Sequence, residues 1–158
     1  FKTHVISTKC NKFVRTTWLN HLDEFEGDDF RYFAPRLSET TPLSDDDGGL
    51  CYTSTGLSAL DLALWLGYRE IYLLGMDQGN LGRKTHFWQF WKEARWPTFY
   101  GRPGNMPLDQ QKVVFERSRT GFEALGEYAD RLGAVINNCS PVSKLDMFEK
   151  VNIELVLE

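Results

Sequence analysis

The stretch that decides the fold is Leu50-Cys51-Tyr52-Thr53-Ser54-Thr55-Gly56, followed by apolar residues to Leu66, then Gly67-Tyr68-Arg69-Glu70 and Ile71-Tyr72-Leu73-Leu74-Gly75-Met76-Asp77. It reads as strand, helix, strand. Leu50 to Thr53 supplies a short strand, and the small hydroxyl residues and glycine after it open a helix whose first N–H groups face an anion. Thr55 to Leu66 is apolar almost all round (Leu57, Leu60, Leu62, Ala63, Leu64, Trp65), as befits a helix buried against a sheet. Gly67 is its expected stop. Ile71 to Leu74 is a continuous apolar run typical of a parallel strand covered on both faces.

Outward from this unit, Lys2 to Ser7, with Val5 and Ile6, reads as a strand, so the chain is expected to open mid-structure, with an upstream piece belonging before Phe1. Arg31 to Ala34 is a second short strand. Pro35 to Gly49 is a loop rich in Ser, Thr, Pro, Asp and Gly. Gln78 to Pro107 is too long for an ordinary connection and reads as an aromatic, basic insertion loop. A helix is predicted from about Leu108 to Leu132, with Val113, Val114, Phe115, Phe122, Leu125 and Tyr128 as core candidates and Gly121 and Gly126 as weak points. Ala134 to Asn137 is a further strand, Pro141 to Phe148 a turn and short helix, and Val151 to Leu157 fits strand or helix equally. Strands alternating with helices predict one α/β domain over residues 1–158, a Rossmann-like three-layer sandwich with a mostly parallel sheet.

Composition narrows the function classes. The 158 residues are 42% hydrophobic and 14% aromatic, enough for one core. A net charge of -4 argues against a general nucleic-acid binder, which needs a basic face. No apolar run approaches the roughly 18 residues of a membrane span, and no signal-peptide pattern opens the chain, so a cytoplasmic protein is expected. Cys10, Cys51 and Cys139 are odd in number, far apart and without C-x-x-C spacing; they read as buried, reduced thiols rather than a zinc site.

Thr53-Ser54-Thr55-Gly56, with Ala59, Ala63, Leu66 to Leu73 and Gly75-Met76-Asp77, resembles the core segment of the bacterial CMP-sialic-acid-dependent sialyltransferases. The same segment, together with Ile136-Asn137-Asn138-Cys139-Ser140-Pro141 and Leu145-Asp146-Met147-Phe148, is closer still to a Rossmann-like family of uncharacterised domains. That family includes archaeal 6-hydroxymethylpterin diphosphokinases, flagellin-glycosylation accessory proteins and phage proteins. The resemblance spans roughly Leu50 to Lys150 and implies a nucleotide-binding transferase. It implies that Thr53, Ser54 and Gly56 lie against the nucleotide, with Asp77 at the neighbouring strand end. Ser54 and Thr55 serve equally as an ordinary helix N-cap, and Asp77 as a turn carboxylate.

The chain departs from the sialyltransferases where they carry a catalytic histidine: their Tyr-x-Gly-His stretch is matched here by Phe99-Tyr100-Gly101-Arg102, and arginine is no base at neutral pH. Their phosphate-holding tyrosine after the Gly-x-Asp strand end is replaced by Gln78-Gly79-Asn80. His86, in Lys84-Thr85-His86-Phe87-Trp88, is then the candidate for proton chemistry, or a packing histidine among aromatics. His4 and His21 read as structural. The insertion loop carries Phe87, Trp88, Phe90, Trp91, Trp96, Phe99 and Tyr100, and sets five cations (Arg83, Lys84, Lys92, Arg95, Arg102) against Glu93 alone. It suits stacking on a ring-bearing ligand with Arg83 and Arg102 at phosphate, or equally a hydrophobic plug that packs on the domain or on another subunit of a homo-oligomer. Asp45-Asp46-Asp47-Gly48-Gly49 reads as a solvated turn, not a metal site. Three functions follow as expectations: glycosyl transfer from a nucleotide sugar with Asp77 and His86 at the chemistry, magnesium-dependent diphosphate transfer to a pterin-like alcohol, or a non-catalytic phage or oligomerisation module.

Overall fold

The computed structural model describes residues 10, 12–15, 30–35, 49–50, 54–78 and 108–157. Their elements, in chain order, are β1 (Lys12–Arg15), β2 (Phe30–Pro35), β3 (Gly49–Leu50), α1 (Thr55–Trp65), β4 (Glu70–Leu73), α2 (Leu108–Arg131), β5 (Val135–Asn138), β6 (Glu149–Lys150) and a single 3₁₀ turn, Ile153–Leu155. The fold is α/β, and every strand pairing among the described residues is parallel. β1, β2 and β3 lie side by side in one three-stranded set, and β4, β5 and β6 in another.

Helix α1 buries Leu57, Leu60, Asp61 and Leu64, the three-, four- and seven-residue spacing that makes one stripe. Helix α2 buries Ser118, Phe122, Leu125 and Ala129 on a matching stripe. These stripes pack with Leu73 of β4, Ala134 and Ile136 at β5, and Leu145 and Phe148 beyond it, to form the core. Phe122 and Phe148 meet edge to face, with ring centroids 6.3 Å apart. The solvent side of α2 carries the i,i+4 ion pairs Lys112–Glu116 and Arg119–Glu123, and Arg119 also reaches Asp146 at 3.0 Å. The two carboxylates raise the already high pKa of the Arg119 guanidinium, Glu123 foremost through its hydrogen bond.

Both helices end in the same way. Gly67 (φ +93) donates to the Leu64 carbonyl and Tyr68 to Ala63. Gly133 (φ +64) donates to Asp130 and Ala134 to Ala129. This pair of bonds is the Schellman motif, and its left-handed residue strains any side chain but is open to glycine. Each motif releases the chain directly into a strand. β4 and β5 thereby start side by side, with Glu70 opposite Val135 and Leu73 opposite Asn138.

Several expectations are corrected. Pro141 to Phe148 holds turns and no helix, because its backbone is committed to side-chain hydrogen bonds described below. Val113 and Val114 are 49% and 41% exposed, since the core stripe of α2 begins at Ser118. Cys10 is exposed, in the bend before β1, while Cys139 is buried. Trp65 and Leu66, at the end of the apolar helix, are nearly half exposed, whereas Asp61 in its middle is wholly buried. β1 and β6 have no counterpart among the predicted strands, and Val151 to Leu157 contains the 3₁₀ turn. Cys51 to Thr53, the strand predicted for Lys2 to Ser7 and the insertion loop beyond Gln78 lie outside the described residues.

Candidate functional site

The carboxyl ends of β4 and β5 and the N-terminus of α1 form one edge. Ser54 caps α1: it has extended backbone (φ −144, ψ 153), its hydroxyl accepts from the Leu57 N–H at 3.1 Å, and its carbonyl accepts from Ser58 N–H at 3.0 Å. The N–H groups of Thr55 and Gly56 are left outside the intrahelical ladder, as the first turn of any helix requires. Gly56 has a packing reason as well. A Cβ there would fall 2.6 Å from the Met76 sulfur, so the missing side chain is what lets the Gly75-Met76-Asp77 segment close on the start of α1. Ser54, Thr55, Gly56 and Asp77, which sequence reasoning singled out, therefore sit at a common edge.

That edge is tied to the segment after β5 by side chains buried to at least nine-tenths. The Met76 N–H donates to Ser140 Oγ at 3.1 Å, and Ser143 Oγ donates to the Met76 carbonyl at 2.6 Å. The Leu145 N–H donates to Ser143 Oγ, the Lys144 N–H to the Asp77 carbonyl at 2.9 Å, and the Cys139 N–H to the Leu73 carbonyl at 2.8 Å. Asn138, 1% exposed, donates through Nδ2 to the Leu145 carbonyl and accepts from the Ser140 N–H. Buried polar groups fully paired in this way lock a backbone path. Among the described residues, the Asp77 carboxylate and the Lys144 ammonium make no hydrogen bond or ion pair, which leaves them as an acceptor and a cation at this edge.

No family model, curated protein or solved structure matches the chain. The site therefore stands on its own geometry. Thr53, Arg83, His86 and Arg102 lie outside the described residues, as does Asp45 to Asp47. Among the described residues no group of three His, Cys, Asp or Glu side chains is placed to hold a metal ion, and no helix is long and apolar enough to cross a membrane.

Sequence reasoning did not single out Ser140, Ser143, Lys144 or the structural part played by Asn138. A signal existed: Asn137-Asn138-Cys139-Ser140 is a polar run at the end of a buried strand, where unpaired amides are costly. At the other end of the strands a groove of about 370 Å³ opens between α2 and β5. Its floor includes Ala129, Ile136 and Phe148, and its rim carries Glu123, Glu127, Asp130 and Glu149. On the same end of β4, the Tyr72 hydroxyl donates to Glu70. That hydrogen bond, with the Glu70 charge, raises the pKa of the Tyr72 phenol above its usual value.

Proposed function

We propose that this chain is a nucleotide-binding, transferase-like protein, with glycosyl transfer from a nucleotide sugar as its most concrete form. The observation that carries the reading is the meeting of two features at one edge: the first-turn N–H groups of Thr55 and Gly56, which lie outside the α1 ladder, and the carboxylate of Asp77, which bonds no other side chain or backbone group among the described residues. Phosphate oxygens suit the first, because helix N-terminal amides point at the anion and the helix dipole favours negative charge. Asp77 suits a hydroxyl or amino group of the ribose, base or sugar. Lys144, one hydrogen bond from Asp77, is a further cation for a phosphate charge. The carboxyl end of parallel strands is also where open α/β sheets take ligands.

The finer assignments rest on sequence and on the resemblance stated there. They are a Rossmann-like three-layer arrangement, Thr53 beside the nucleotide, Arg83 and Arg102 at phosphate, His86 as base, and a cytoplasmic setting. A thermal-shift screen against CMP, UDP, GTP, ATP with magnesium, and a pterin tests the reading. A nucleotide at about 100 times its Kd adds about 2.7 kcal/mol to the folded state. A raised Tm with CMP or UDP is expected; a shift that requires ATP, magnesium and pterin together would move the assignment to diphosphate transfer, and no shift with any of them would overturn it.

A further inference from the structure

Gln78 combines two costs that a protein ordinarily avoids. Its φ is +46, and it is the one non-glycine residue among those described with left-handed backbone. Its side-chain Oε1 is shut away from solvent and has no hydrogen-bond partner among the described residues. Left-handed backbone disfavours any residue with a Cβ, and an acceptor buried without a donor forfeits its hydration. Neither cost is the slack of a loose loop. Gln78 directly follows Met76 and Asp77, whose backbones are held by Ser140, Ser143 and Lys144. The frame that imposes the strain is the same frame that builds the candidate edge.

From this we infer that Gln78 is a ligand-reading residue: its Oε1 accepts a hydrogen bond from an N–H or O–H donor of the bound nucleotide. The inference rests on the nucleotide reading of that edge. An acceptor held in place before the ligand arrives loses no side-chain freedom on binding, which favours a donor-bearing ligand over one without it. Strain and an unpaired polar atom on one residue are then stability given up for recognition.

Calorimetric titration of CMP and of UDP into the parent chain, Gln78→Leu and Gln78→Gly, with Tm measured without ligand, tests this. Leucine removes the buried acceptor at similar volume, and glycine also relieves the backbone. Both variants are expected to keep or exceed the parent Tm and to bind the nucleotide that the parent binds about tenfold more weakly or worse. Parent-like Kd in both variants would overturn the role of Gln78 while leaving the nucleotide reading intact. A lowered Tm with unchanged Kd would make Gln78 structural. A parent that binds neither nucleotide would overturn both.

Discussion

The two ends of the β4–β5 pair are built from opposite materials. At the carboxyl end, Asn138, Ser140 and Ser143 are buried and satisfied, and they staple two segments far apart in sequence: the Met76 bonds to Ser140 and Ser143 span 64 and 67 residues. At the amino end, carboxylates rim an open groove and the Tyr72–Glu70 hydrogen bond is solvent-exposed. Buried polar bonds sit in a low dielectric and leave a costly orphan when one partner is lost, whereas exposed ones exchange freely with water. Positioning precision therefore belongs to the carboxyl end, and it is there that a ligand can be held in one pose.

The largest effect should erase the contrast altogether. Phe122→Ala removes a fully buried ring that packs on Phe148, and about 3–5 kcal/mol of stability should be lost in urea denaturation, taking both ends down together. A loss under about 1 kcal/mol would mean that the core does not join them.

Asn138→Ala acts at one end only. It orphans the Leu145 carbonyl and the Ser140 N–H, and about 2–4 kcal/mol should be lost. Hydrogen exchange should quicken at Met76 and Ser140 before it does at Val135; uniform quickening would break the comparison.

Ser54→Ala deletes the cap of α1 and should cost about 1 kcal/mol, measured by chemical denaturation, with Ser54→Gly costing less. A nucleotide affinity that falls with the cap would sharpen the assignment of the edge.

The smallest effect is expected at the amino end. Because the folded-state pKa of Tyr72 is raised, its hydroxyl contributes stability below the unfolded pKa of about 10 and loses it as pH rises through the folded value. Tm should therefore fall slightly more between about pH 9 and pH 11 in the parent than in Tyr72→Phe. Equal slopes would show that the exposed bond is worth nothing.

Much of this fold was legible locally. The N-cap at Ser54, the stop at Gly67, the spans of both helices, the burial of Phe122 and Leu125 and the strand at Ile71 follow from signals within a few residues of each element. Signals failed where local pattern and tertiary role diverge. Val113 and Val114 are apolar yet stand outside, Asp61 is charged yet inside, and Pro141 to Phe148 looks helical yet spends its backbone on Asn138 and Ser143.

The candidate site divides along the same line. The sequence by itself determined that small hydroxyl residues and a glycine open α1 and that Asp77 lies just past the carboxyl end of a strand, because caps, glycines and strand runs are short-range properties of the chain. Only the tertiary structure decided that Gly56 admits Met76, that Ser140 and Ser143 clamp the residue before Asp77, and that Gln78 is left strained with a buried, unpaired oxygen. Those relations depend on which distant segments share a burial site, and a hydrogen bond across more than sixty residues leaves no mark on the spacing of either partner.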